Sequence, residues 1–121
     1  MITKRFILKS LTSKDANINY LLWFKDPEVK KFILSSKEAI TIKYLKEYII
    51  RNNKIKNSLF FGIFNKRNKH IGNIKFDKID QKKNQTIMGI LIGEKKYRVR
   101  GVAIEIINFF SEFFYSQYSI T

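Results

Sequence analysis

The chain has 121 residues, 45% hydrophobic and 15% aromatic, with a formal net charge of +14; that is enough apolar surface for one core and too short a chain for two, so a single domain over 1–121 is expected. The absence of cysteine and the presence of one histidine, His70, exclude a disulfide framework, a cysteine nucleophile, cysteine zinc sites and any site built on two histidines. No run approaches the roughly 18 apolar residues of a membrane span and the N-terminal run is too short for a signal peptide, so a soluble, cytoplasmic protein without membrane contact is expected.

Residues 4–11 alternate loosely and predict a first strand. Thr12 or Ser13 is placed to cap a helix running to about Phe24, with Asp15 in its first turn. Asp26-Pro27 ends that helix and opens another over "PEVKKFIL". Thr41 caps a further helix, 42–53, whose Ile42, Leu45, Tyr48 and Ile49 share one face. The period then changes. Residues 58–65, 69–79 and 85–93 are β-rich runs separated by short polar turns, and they predict a three-stranded antiparallel meander. From Val102 to Tyr115 the period is helical again, with one narrow polar stripe (Glu105, Asn108, Glu112) on an otherwise apolar surface that requires cover around most of its circumference. The fold class is α+β, a mixed α/β chain ordered strand, helices, antiparallel meander, helix.

Among candidate sites, the stretch "EKKYRVRGVAIEIINFF" (94–110) stands out. Arg98 and Arg100 lie just before Gly101, where a helix is about to begin. Helix starts present unpaired N–H groups and partial positive charge to anions, glycine allows close approach, and arginine adds charged donors for phosphate. The plainer reading is a basic loop capping a core helix. His70 reads as a solvated or capping histidine beside cations, and Asp77 and Asp80 as surface ion-pairing groups. Glu94 ends the third meander strand. A carboxylate there either accepts a proton from an ammonium substrate or pairs with Lys95, Lys96 or Arg98. Trp23 and the aromatics of 109–115 have core spacing.

The spacing Arg98-x-x-Gly101-x-Ala103, between a strand and a helix, resembles the R/Q-x-x-G-x-G/A signature of the GNAT N-acetyltransferase superfamily. "LTSKDANINYLLWFKDPEVKKFI", "HIGNIKFDKID" and "MGILIGEKKYRVRG" are similar to the branch containing ribosomal-protein alanine acetyltransferases. The resemblance implies a GNAT (acyl-CoA N-acyltransferase) fold with helices on both faces of a twisted mixed sheet, and acetyl-CoA as co-substrate. Its pantetheine is then expected on the backbone around Ile90, Leu91 and Ile92. Its pyrophosphate is expected on the amides of the segment Arg98, Val99, Arg100, Gly101, Val102 and Ala103. Val99 stands where family loops often carry glycine. The acceptor implied is a primary amine on a protein N-terminus, an amino sugar or a polyamine, bordered by the 42–53 helix with Lys43 and Lys46.

The likeness spans Phe6 to about Gln117, the first two thirds of the family domain. The family continues with a further strand beside the fourth, so an incomplete GNAT fold is expected. That would leave an exposed strand edge and aromatic face, self-association through this C-terminal edge, and weak acetyl transfer. Two other functions fit the residues: an inactive remnant acting as a protein-binding module, and a basic RNA-binding module. Nucleic acid is not the expected partner, because 19 Lys, 10 Asn and 20 Ile, residue types with A/T-rich codons, make up 49 of 121 residues. The charge is dispersed, and no nucleic-acid-binding motif accompanies it.

Overall fold

Alternation along β1 (Phe6–Lys9) sends Phe6 and Leu8 to one side of a sheet and Ile7 to the other. The computed structural model describes residues 1–30, 40–80, 82–83, 85–98 and 101–118. β2 (Leu59–Asn65), β3 (His70–Asp80) and β4 (Gln85–Ile92) complete a four-stranded sheet in the order β1-β2-β3-β4, with every pairing antiparallel. The predicted meander is therefore present, and the first strand joins it alongside β2. The β2–β3 turn is set by Asn65, whose side-chain oxygen accepts from the amides of Arg67 and Lys69, both at 2.9 Å.

Both faces of the sheet are apolar, so both must be covered. On one face α4 (Val102–Tyr118) lays Val102, Ile106, Phe110 and Phe114, each four residues from the last, onto Phe6, Leu8, Ile63, Ile71, Ile74 and Phe76. The other face carries α1 (Ile18–Leu22), a 3-10 turn (Trp23–Lys25), α2 (Pro27–Lys30) and α3 (Ile42–Asn53), which bring Tyr20, Trp23, Phe24, Val29, Leu45 and Ile49 onto Phe60 and Phe64. As expected, Thr41 caps α3 by accepting from the Tyr44 amide at 3.0 Å, and Leu45 and Ile49 form its buried face.

The single helix expected over 13–24 is broken. The Asp15 carboxylate accepts from the Thr12 amide at 2.7 Å, closing one 3-10 turn, Ser13–Asp15. Ala16 then leaves helical geometry, and Asn17 starts α1 afresh by accepting from the Tyr20 amide at 3.3 Å. Two short polar residues, each able to bond its local backbone, thus divide what periodicity alone joins. The predicted helix from Pro27 is described as far as Lys30; its remainder lies outside the described residues.

The stripe of α4 opposite its buried face is only partly covered. Ile104 and Tyr115 are each 66% exposed, and a groove on this side is lined by Phe109, Phe113 and Tyr115. Glu105, on the polar stripe, is fully engaged: it accepts from the Thr3 hydroxyl at 2.6 Å, the Arg5 amide at 2.9 Å and the Arg5 Nε at 2.6 Å. Burial works to raise its carboxyl, but these bonds outweigh it and hold the group below the usual carboxylate range. Among the described residues, β4 pairs with β3 alone and no helix is long and apolar enough to cross a membrane.

Two substitutions on α4 separate its sides. Ile106→Ala, at a fully buried position, is expected to destabilise the fold by about 3 kcal/mol, and Ile104→Ala by less than about 0.5 kcal/mol, read from urea unfolding midpoints.

Candidate functional site

The strand that carries Ile90, Leu91 and Ile92 lies opposite Ile74, Asn73 and Gly72 of β3, and all three β4 residues are half-buried. The ladder ends where the Ile71 carbonyl accepts from both the Gly93 amide (2.9 Å) and the Glu94 amide (3.2 Å). Gly93 is required here by close approach: a β-carbon at this position would collide with the Trp23 ring. A 3-10 turn, Lys95–Tyr97, follows, and then the start of α4.

That start is made by Gly101, at φ +68°, in the left-handed region that side-chain-bearing residues rarely adopt. Its carbonyl accepts from the Glu105 amide at 3.1 Å, so Gly101 is the N-cap. Val102, Ala103 and Ile104 therefore have amides with no partner within the helix. A β-carbon at Gly101 would meet nothing within 4 Å. Glycine at this position answers to backbone conformation and to open space above it, not to packing inside the chain. Val99 and Arg100 lie outside the described residues.

Arg98 turns into the protein. Its amide donates to the Lys95 carbonyl at 3.1 Å. Its guanidinium donates from Nε to the Ile92 carbonyl (2.7 Å), from Nη2 to the Gly93 carbonyl (3.2 Å) and from Nη1 to the Asp26 carboxylate (2.8 Å), with Glu28 at 3.5 Å. The Arg98 bond, seconded by the Glu28 amide, holds the Asp26 carboxyl below its ordinary value. Spacing alone gives no sign of these partners, because Asp26 is distant in sequence and the geometry exists only once α2 is packed beside the end of β4.

Glu94 pairs with Lys69 at 3.5 Å rather than with Lys95, Lys96 or Arg98. Its amide is fixed on Ile71, near the start of β3, which places its carboxylate beside the β2–β3 turn. Asp77 pairs with Lys75 at 3.5 Å, and Asp80 accepts from the Lys83 amide at 3.1 Å. On the sides of α3, Lys43 and Lys46 are exposed.

His70 is not the solvated group its basic neighbours suggest; it is 5% exposed. Its ring is surrounded by Tyr20, Trp23 and Phe64, with centroids 4.6–5.1 Å away. Nε2 lies 2.6 Å from the Asn73 side-chain oxygen, and Asn73 in turn donates to the Tyr20 hydroxyl at 2.9 Å. With Nε2 as donor, Nδ1 is a bare acceptor, buried and without a partner. Burial lowers the His70 pKa, and the Asn73 bond only partly opposes it; burial likewise raises Tyr20 well above the ordinary phenol value.

Residues 5–121 match the family model described as the acetyltransferase (GNAT) domain. The chain belongs to the GNAT acetyltransferases. Similar solved structures show the same fold. The GNAT-family acetyltransferase from Bacillus anthracis superposes with a TM-score of 0.75 at 20% identity, covering 99% of this chain and 68% of its own. The microcin C7 self-immunity acetyltransferase MccE, solved with acetyl-CoA and AMP, gives 0.76 at 19% identity, covering 95% and 66%. The dodecameric spermidine N-acetyltransferase from Vibrio cholerae gives 0.64 at 15% identity, covering 95% and 65%. The chain thus spans about two thirds of the length of these relatives. No curated protein shows a significant sequence match.

The buried imidazole has a pH signature. The unfolded chain takes up a proton near 6.5, the folded chain only at lower pH, so stability falls as pH drops below about 6.5 and levels off below the folded-state pKa. Urea unfolding at pH 7.5 and 5.5 should show this loss in the wild type and a smaller one in His70→Gln, which lacks the titrating ring.

Proposed function

We propose that the chain is an N-acetyltransferase that moves the acetyl group of acetyl-CoA to a primary amine. The observation that carries this reading is the succession of a strand edge unpaired among the described residues (β4) and an open, glycine-capped helix start (Gly101), in a chain of GNAT ancestry. Acetyl-CoA supplies a thioester activated toward amines. The backbone at Ile90, Leu91 and Ile92 holds the pantetheine arm by strand-like hydrogen bonds, and one of its N–H groups polarises the acyl oxygen as charge develops there. The amides of Gly101, Val102 and Ala103, extended by Val99 and Arg100, receive the pyrophosphate. The Arg98 amide is already bonded to Lys95, which moves the centre of this cradle toward Gly101. We assign to Glu94, two residues past β4 and paired with Lys69 in the ligand-free protein, the proton that an ammonium acceptor must lose.

The acceptor amine belongs to a protein N-terminus, an amino sugar or a polyamine. Sequence likeness to the ribosomal-protein alanine acetyltransferases favours the first. The net charge of +14 favours an anionic carrier, such as a nucleotide-linked amino sugar, over a polyamine. The open β4 edge and the apolar groove of α4 support self-association. Burying even ~400 Å² of such surface contributes about 10 kcal/mol gross before association costs.

Calorimetry with acetyl-CoA tests the core of the proposal, and Gly101→Asn sharpens it. Asparagine tolerates the left-handed backbone, so the melting temperature should change little while the added side chain weakens acetyl-CoA binding roughly ten-fold or more. Retained affinity in that variant would remove residue 101 from the site. Thiol release with an amine panel reports turnover, and light scattering at micromolar concentration reports assembly. RNA binding with a steep salt dependence and no acetyl-CoA signal would overturn the enzyme reading in favour of a basic RNA-binding module.

A further inference from the structure

The guanidinium of Arg98 bonds two consecutive carbonyls, Ile92 and Gly93, at the point where β4 leaves the sheet, and it reaches Asp26 at the same time. Asp26 is itself the residue that starts α2. Its carboxylate accepts from the Glu28 amide at 3.0 Å and its carbonyl from the Val29 amide at 3.0 Å. Three residues earlier in the chain, the Trp23 ring lies against Gly93 so closely that no β-carbon fits. Segments 23–28 and 92–98 are thus locked at two places, one apolar and one charged.

The second of these segments leads from the strand edge toward the helix start. Its shape sets the direction in which the chain leaves the place where a pantetheine arm would lie. We propose that Arg98 is a positioning residue: its side chain sets this turn for acetyl-CoA and, through Asp26, makes cofactor binding depend on the opening of α2. The role rests on the N-acetyltransferase reading and adds to it a specific one for Asp26, a residue outside the cofactor cradle. Lysine does not replace arginine here, because one ammonium group cannot match the three separate nitrogens that meet two carbonyls and a carboxylate.

Three variants of the whole chain, Arg98→Lys, Asp26→Asn and the double variant, test the proposal with two readouts. Calorimetry with acetyl-CoA should show roughly ten-fold weaker binding for each single variant, and a double variant no weaker than Arg98→Lys alone, because both break the same device. Hydrogen exchange in the ligand-free protein should show the amides of 93–97 opening about ten-fold faster in both single variants. S-acetylpantetheine, which carries no phosphate, should lose affinity in parallel with acetyl-CoA. If Arg98→Lys weakens acetyl-CoA alone and Asp26→Asn binds like the wild type, Arg98 contacts phosphate directly and the proposal is overturned. Unchanged exchange at 93–97 in both variants also overturns it, whatever the affinities. A wild type that fails to bind acetyl-CoA overturns the functional reading beneath it, an outcome distinct from unchanged exchange because it is seen before any substitution is made.

Discussion

A sheet with apolar side chains on both faces cannot stand with one face in water, and this requirement organises the molecule. Phe6, Leu8, Ile63, Ile71 and Ile74 need a cover on one side, and Phe60 and Phe64 need one on the other. The chain supplies the second cover before the meander is built and the first only after it. α4 must therefore begin close to where β4 ends and run back beneath the sheet. The change of direction between β4 and α4 is a product of that demand, and it is why the end of a strand that, among the described residues, pairs on one side only is followed within ten residues by a helix N-terminus. The candidate site is in this sense a by-product of layering.

The segment 93–98, where the ladder ends, needs support. Trp23 supplies apolar contact at Gly93, and Arg98 collects the carbonyls that the end of the ladder leaves over. Trp23 reaches Gly93 from the helical layer on the face opposite α4, and Arg98 reaches back from the segment before α4 to Asp26 of that layer. The segment that follows β4 is consequently tied to the helical layer that carries α1 and α2. On the far end of α4's first turn, Thr3 and Arg5 hold Glu105, so the helix start is anchored to the segment that leads into β1 as well.

What the sequence revealed was local. Thr41 is a helix cap because of its hydroxyl and the periodic run behind it, and the three β-rich runs are strands because their turns are short and polar. The motif Arg98-x-x-Gly101-x-Ala103 located the loop because glycine's left-handed conformation has a residue-type signature. What stayed hidden was tertiary. Lysines and an arginine surround His70 in sequence, yet the fold places its ring among aromatics, and nothing in periods of two or four announces that. The break at Ala16–Asn17 hid behind an apolar pattern that continued through it, and Arg98's bond to Asp26 depends on a packing of α2 that no spacing encodes.

The strand order also bears on how the molecule is assembled. β2, β3 and β4 are joined by turns of a few residues, whereas β1 and β2 are separated by about fifty. With loop-closure entropy rising as the logarithm of length, bringing β1 to β2 costs about 2 kcal/mol more than forming either hairpin. The meander is therefore the natural nucleus, and β1 docks late, together with the helices that its long connection carries. Until it does, Ile63 and Phe64 present an open edge to solvent. A newly made chain is most vulnerable to aggregation in that interval, and its rescue depends on contacts at its own N-terminal strand.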